Sequence, residues 1–323
     1  MTDFILPEEV KSISIDENKI YELAIIGGGP AGTTATVYAA RKKLDIILIS
    51  RDIGGQLLLT SDIENYMGFH YITGSELIKK FEKQTKQFPV PIILNEEVKS
   101  IAADKGIFTF STSENKNIKA KTAIIATGKR PKLLEVQGEK KFIGKGVSYC
   151  ATCDAPLFKN MDVAVIGGGN SAITAVIDLL KIAHKIYVIN IRDYFKADSI
   201  LIEKIKSSDK TEFFSGYGVK EIKGKNHVEE ILIYARKTKE EKTLNVSGVF
   251  VEIGLIPNSE FIKGFLNLNG KGEIIIDCDC KTNIPGIFAA GDVTAVTEKQ
   301  IIVAAGEGAK ATLSAYKYLL GMK

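Results

Sequence analysis

Apolar and polar positions repeat one arrangement twice along the chain. A short apolar run at residues 23–26 ends in a glycine cluster, and so does a second run at residues 163–166. Runs this short, rich in branched side chains and closed by glycine, predict parallel strands buried on both faces. Beyond each cluster the sequence turns helical, through Thr34, Val37 and Ala40 in the first copy and Ala175, Ile177, Leu180 and Ile182 in the second. Each predicted helix leads to a further apolar strand, at residues 45–49 and 185–189, and more strands are predicted at residues 229–234 and 247–253.

The glycine clusters give this pattern a purpose. Ala24-Ile-Ile-Gly-Gly-Gly-Pro-Ala-Gly-Thr-Thr-Ala35 is echoed by Ala164-Val-Ile-Gly-Gly-Gly-Asn-Ser-Ala-Ile-Thr-Ala175. In G-x-G-x-x-G/A the first glycine permits a tight turn. The second lets a pyrophosphate approach the backbone, and the third lets helix and strand pack closely. These positions are Gly27, Gly29 and Gly32, then Gly167, Gly169 and Ala172. One such motif is weak evidence; two, each with its strand before and helix after, predict two bound dinucleotides. The expected class is α/β, with two Rossmann-like three-layer dinucleotide-binding domains. Gly128-Lys-Arg-Pro131 and Gly254-Leu-Ile-Pro257 read as outgoing and return hinges. The second domain, residues 131–254, is then inserted into the first, residues 21–130 and 255–323, after an N-terminal arm of residues 1–20.

Composition narrows the setting. The chain has 323 residues, 45% of them hydrophobic and 25% charged, with a net charge of +4. That suits a soluble protein of about two domains. Charges are mixed and not interleaved with aromatic residues, so no nucleic-acid partner is expected. No run of about 18 apolar residues predicts a membrane span. Residues 1–20 lack a basic stretch followed by an apolar one, so no secretory signal is expected and the cytoplasm is the expected compartment. In that compartment a close cysteine pair points to catalysis or metal binding. Cys150 and Cys153 are such a pair, with the spacing that lets two thiols meet across one turn. A zinc site needs about two more ligands. Cys278 and Cys280 would have to supply them; they otherwise read as two thiols on one face of a strand, or as an auxiliary disulfide. No metal is expected. Asp154 follows Cys153 directly and reads as a proton carrier, since thiol–disulfide exchange must protonate a leaving thiolate.

Together these residues resemble the low-molecular-weight thioredoxin reductases, over about residues 21–320. The motifs are Gly27-Gly-Gly-Pro-Ala-Gly32, Gly54-Gly-Gln-Leu57, Ile63-Glu-Asn-Tyr66, Ala126-Thr-Gly128, Cys150-Ala-Thr-Cys-Asp154, Gly167-Gly-Gly-Asn-Ser-Ala172 and Gly286-Ile-Phe-Ala-Ala-Gly-Asp-Val293. The resemblance implies FAD on the first domain and NADPH or NADH on the second. Gly27, Gly29, Pro30, Ala31 and Gly32 would hold the FAD diphosphate. Gly55, Gln56, Leu57 and Asn65 would lie along the flavin, with Val98 at the adenine and Ala126, Thr127 and Gly128 beside the cofactor. Gly291 and Asp292 would take the ribityl and phosphate region, and Lys299, Gln300 and Ile301 would sit near the ring. Gly167, Gly169, Asn170, Ser171, Ala172, Arg192 and Lys196 would hold the nicotinamide dinucleotide. Cys153 would lie nearest the flavin, Cys150 would attack the partner's disulfide, and Asp154 would be the acid–base group. The implied partner is thioredoxin or a similar small disulfide protein, and the implied assembly a homodimer.

Departures from the family pattern concern the nicotinamide. Where the family carries His-Arg-Arg-x-x-x-Arg, this chain has Asn190-Ile-Arg-Asp-Tyr-Phe-Lys196. Lysine lacks arginine's bidentate fork, so phosphate recognition should weaken. Asn190 is not the acidic residue that would mark NADH. The reading leans to NADPH, with NADH or dual use as alternatives. Ser50 ends the corresponding strand of the first domain, and Lys299 stands where the family has arginine. Two other functions fit the same residues. One is a dithiol oxidase that passes flavin electrons to oxygen with little use of nicotinamide; the other is a non-catalytic flavin-binding protein.

Overall fold

The structure is a computed structural model that describes residues 15–60 and 62–321. The first unit opens with β1 (Ile20–Gly28), α1 (Pro30–Arg41) and β2 (Ile46–Ile53). A small hairpin, β3 (Asp62–Ile63) and β4 (Ile72–Thr73), precedes α2 (Gly74–Thr85), β5 (Ile92–Ile93), β6 (Val98–Asp104), β7 (Ile107–Thr112) and β8 (Asn117–Ile125). After β9 (Lys129–Pro131) the chain enters the second unit. That unit comprises β10 (Val147–Ser148), α3 (Ala151–Asp154), β11 (Asp162–Ile166), α4 (Asn170–Leu180), β12 (Lys185–Asn190), α5 (Ser199–Lys206) and β13 (Thr211–Ser215). It continues through β14 (Tyr217–Lys223), β15 (Glu230–Ala235), β16 (Glu241–Asn245) and β17 (Gly248–Val251). β18 (Leu255–Pro257) leads back to β19 (Ile287–Ala289) and α6 (Ile301–Gly321).

The two sheets show how the units nest. The first runs β5-β2-β1-β8-β7-β6, with β19 pairing β8; the second runs β10-β17-β11-β12-β13. Every strand of the second sheet lies in sequence between β8 and β19, so the second unit is inserted in the first. β9 and β18, at the expected hinges, pair antiparallel with Leu255 opposite Pro131 and Pro257 opposite Lys129. Both crossings between units therefore form one ribbon. Part of the expected N-terminal arm, residues 1–14, lies outside the described residues. Its described end is anchored: Ile15 packs on the core, and Lys19 pairs with Asp45 at 2.8 Å.

Side-chain alternation along β1 divides the first unit's core. Leu23 and Ile25 face α1 and α6, whereas Ala24 and Ile26 face the other layer with Phe108, Phe110 and Ile262. The second unit repeats this plan. Val163 and Val165 pack under α4, while Ala164 and Ile166 pack against Ile222, Ile231 and Ile233 of an antiparallel three-stranded sheet. Each unit is thus helices, parallel sheet and a third layer, the α/β class expected of a Rossmann-like pair.

One local expectation fails. Residues 278–280 are not a strand. The Asp277 carboxylate accepts the N–H groups of Asp279 (2.8 Å) and Lys281 (2.9 Å), which bends the chain into a turn. Cys280, at φ 63°, is buried and Cys278 exposed, so the two thiols share no face.

Small residues set how closely α6 crosses α1. A Cβ on Gly308 would stand 2.1 Å from the carbonyl oxygen of Ala31, and Thr312 donates its hydroxyl to Ala35 at 3.2 Å. We therefore expect Gly308→Ala to destabilise the protein by about 1–3 kcal/mol, read as a lower urea midpoint in equilibrium unfolding. An unchanged midpoint would show that α6 can lift off α1 without loss.

Candidate functional site

The β1–α1 turn is built for close approach. A Cβ on Gly32 would stand 1.7 Å from the Gly27 carbonyl oxygen, and one on Gly27 would stand 2.3 Å from that of Ala126. Gly27 also holds φ 114°, which side-chain-bearing residues rarely adopt. Gly29 is different: a Cβ there would meet nothing within 4 Å. This glycine caps α1 with no side-chain hydrogen bond, and the first turn carries no acidic residue. Helix α4 repeats this, with Gly169 open and the first turn free of acids. Helix α2, by contrast, is closed by a full Thr73–Glu76 capping box. Two helix starts are thus left with bare N–H groups, where a diphosphate can be held.

The remaining first-unit motifs converge on the first turn. Gly55 lies against Gly29, with its Cβ position 3.4 Å from the Gly29 Cα, and that of Gly291 is 3.1 Å from the Ala31 Cβ. Gln56 donates to Asp292 at 2.7 Å, and Asn65 donates to Gln300 at 3.3 Å, just before Ile301 begins α6. Burial raises the Asp292 carboxyl above its ordinary range, while Lys299 and Gln56 act the other way. Burial lowers Lys299, with the charge of Lys129 adding to the effect. Lys299 donates to the Thr294 carbonyl at 2.7 Å and faces Glu273, which also pairs with Lys129 of the hinge ribbon. Leu57 and Ala126 are buried, and the Thr127 hydroxyl donates to the Asn258 carbonyl at 2.7 Å, beside Gly128. The Val98 side chain is buried in the core, which leaves only its backbone for the adenine contact that the resemblance implies.

Cys150 and Cys153 are joined in a disulfide at the start of α3, with Cα atoms 5.3 Å apart. Both are half-buried, and α3 packs against β3 of the first unit. The helix that carries the disulfide therefore lies beside the unit that holds the first glycine turn. Ser148 organises it: its hydroxyl donates to the Asp154 carboxylate at 2.6 Å and accepts the Cys150 N–H at 3.1 Å. Cys278 and Cys280 are both free thiols, and burial pushes Cys280 up to about 12. Among the described residues no three His, Cys, Asp or Glu side chains gather as a metal donor set.

Three further groups carry no sequence motif. Glu139 is buried, accepting the N–H groups of Leu134 and Glu135 at 2.8 Å and the Tyr149 hydroxyl at 3.0 Å. It thereby ties the outgoing segment to the residue before Cys150. Glu307 accepts the Gly291 N–H at 2.7 Å and so shapes the turn that carries Asp292. Glu252 accepts the Ala151 N–H at 3.3 Å, between the two cysteines, and its own carbonyl oxygen lies 2.3 Å from a Cβ on Gly167. It connects the disulfide helix to the second glycine turn. Glu252 and Glu307 lie far in sequence from what they hold, whereas Glu139 acts within one short segment that no motif marks.

The comparisons agree with this geometry. Residues 21–308 match the family model described as pyridine nucleotide-disulphide oxidoreductase, and the chain belongs to that family. The F component of alkyl hydroperoxide reductase in Pseudomonas putida is 40% identical over 95% of this chain, which spans 59% of that relative's length. The thioredoxin reductase of Streptococcus pyogenes superposes with TM-score 0.90 at 39% identity, covering 94% of this chain and 99% of its own. Lactococcus lactis thioredoxin reductase in its FR conformation gives 0.64 at 35% identity, covering 93% and 99%. The family is one of oxidoreductases that use FAD and a nicotinamide cofactor, and the two bare glycine turns fit two dinucleotides. No described helix is long and apolar enough to cross a membrane.

Glu252 gives a pH-dependent prediction. Burial pushes its carboxyl up to about 7, against the Ala151 N–H, and Asp178 adds to the rise. The folded state therefore holds this proton more tightly than the unfolded chain. Its contribution to stability is complete below the ordinary value of 4.5 and is lost as pH rises through about 7. Across pH 5 to 8 we expect Glu252→Gln to flatten the fall in unfolding free energy by about 1–3 kcal/mol. Parallel profiles for variant and wild type would rule out a buried, protonated Glu252.

Proposed function

We propose that the chain is an NADPH-dependent reductase of a thioredoxin-class protein disulfide. The half-buried Cys150–Cys153 disulfide carries this reading: it lies on a helix of the inserted unit that packs beside the first unit. We assign residues 21–130 and 255–323 to FAD, and residues 131–254 to the nicotinamide dinucleotide. When bound, these cofactors supply the hydride and electron chemistry that no side chain here can perform.

The chain's own residues then carry the exchange. In the reduced protein the Cys150 thiolate attacks one sulfur of the partner's disulfide, forming a mixed disulfide and releasing the other sulfur as a thiolate. Asp154, held by the Ser148 hydroxyl, takes the proton that Cys150 loses on becoming a thiolate and passes it to the partner's released thiolate; the proton of the Cys153 thiol goes to the partner's second sulfur. Cys153 then attacks the Cys150 sulfur, restoring the internal disulfide and freeing the partner as a dithiol. The β9–β18 ribbon is the pivot between half-reactions, a hinge at which few residues absorb the motion. The spread of TM-scores from 0.90 to 0.64 at similar identity supports two placements of the units. Arg192 and Lys196, both exposed beside the end of β12, favour NADPH. The resemblance adds a homodimer. A second reading, a reductase that feeds a peroxide-reducing partner, is favoured by the relatives that carry the name alkyl hydroperoxide reductase.

Anaerobic stopped-flow mixing of the FAD-loaded protein with NADPH and with NADH tests the reading. We expect NADPH to bleach the flavin band faster, and thioredoxin to reoxidise it through Cys150. Cys150→Ser should bleach but lose thioredoxin reduction by more than about 10³-fold. Bleaching by a dithiol and by neither nicotinamide would instead identify an oxidase. In a steady-state assay, Asp154→Asn should lower thioredoxin reduction by about 10²-fold while bleaching persists.

A further inference from the structure

In dinucleotide folds the end of the second strand reads the ribose: an acidic residue accepts the 2′-hydroxyl, or a nearby arginine accommodates a 2′-phosphate. Asn190 holds that place at the end of β12. It is buried, and both ends of its amide bond backbone. Its Nδ2 donates to the Tyr194 carbonyl at 2.7 Å, and its Oδ1 accepts the Arg192 N–H at 3.2 Å. It also covers Gly168, where a Cβ would stand 2.5 Å away. Ser50 does the same in the first unit, accepting the Gly28 N–H at 2.7 Å. Both strand-end side chains bond backbone groups of their own unit, and in the second unit the charged groups lie in the loop that follows.

That loop is supported by a remote turn. The Gly216 N–H donates to the carbonyls of Asn190 (2.8 Å) and Arg192 (2.9 Å), and the Arg236 N–H donates to the Gly216 carbonyl (2.9 Å). These bonds lock the turn after β15 onto the end of β12. Its side chains continue the contact. Arg236 Nη1 donates to the Ile191 carbonyl at 3.2 Å, and Lys237 pairs with Asp193 at 3.1 Å. Asp193 is the one carboxylate in residues 190–197 and is thus neutralised, while Arg192 and Lys196 remain exposed. Asp198 is tied to Asn170 at the start of α4, its N–H donating to Oδ1 at 2.9 Å.

We propose that Arg236 determines dinucleotide specificity: with Arg192 and Lys196 it forms a cationic cradle for the adenosine 2′-phosphate, delivering from the antiparallel sheet the charge that Ile191 lacks. Nη1 spends one hydrogen on the Ile191 carbonyl, and Nη2 and Nε remain for two phosphate oxygens, a geometry that lysine cannot reproduce. The assignment rests on the NADPH reading above.

Calorimetric titration of the holoenzyme with 2′,5′-ADP and with 5′-AMP separates the two claims. We expect the wild type to bind 2′,5′-ADP at least about tenfold more tightly. Arg236→Gln should lose about tenfold for 2′,5′-ADP and nothing for 5′-AMP, and Arg236→Lys should recover part of the loss. If the wild type prefers 2′,5′-ADP and Arg236→Gln keeps that preference, the Arg236 assignment is overturned while the NADPH reading stands. Equal loss for both ligands also overturns it, because that marks damage to the loop. If the wild type binds the two ligands equally, the NADPH reading falls and the cradle with it.

Discussion

The molecule depends on close contact between backbones at two glycine turns. At the first, helix and strand approach until a Cβ on Gly32 would nearly coincide with the Gly27 carbonyl oxygen, 1.7 Å away. That approach brings the start of α1 level with Ala126, Gly55 and Gly291, which lie far apart in sequence. It also leaves the first N–H groups of the helix uncovered, an arrangement that costs stability unless an anion completes it. The second unit copies the arrangement with Ala172 in place of the third glycine. Most of the remaining architecture holds these two turns in place and sets them against each other.

Much of this was legible because its causes are local. The apolar runs, the glycine spacing and the Cys150–Cys153 pair each declare themselves within a dozen residues, so the fold class could be read directly. The strand expected at Cys278 and Cys280 failed for a local reason too: the apolar residues before it suggested continuation, but Asp277 captured two backbone N–H groups and turned the chain. The supporting groups were not legible. Glu252, Glu307 and Arg236 act on residues distant in the chain, Glu139 acts within ten residues on a loop without a motif, and no spacing rule connects any of them.

The two units communicate through few elements. The β9–β18 ribbon carries both crossings, and Lys129, in that ribbon, shares Glu273 with Lys299 of the first site. Glu139 fixes the segment leaving the ribbon to the residue before Cys150. Glu252 joins the disulfide helix to the second glycine turn. The redox pair, the hinge ribbon and both glycine turns are therefore mechanically linked, as the proposed function requires of a unit that would present first a nicotinamide and then a disulfide to one flavin.

In the proposed reaction, electrons from nicotinamide reach Cys150 and Cys153 before any partner is present. Anaerobic incubation of the oxidised, FAD-loaded protein with excess NADPH, followed by alkylation and mass spectrometry of intact chains, tests it most directly. We expect two additional alkylated thiols, at Cys150 and Cys153, with the exposed Cys278 labelled whether or not NADPH is added. A bleached flavin with the Cys150–Cys153 disulfide still closed would contradict it.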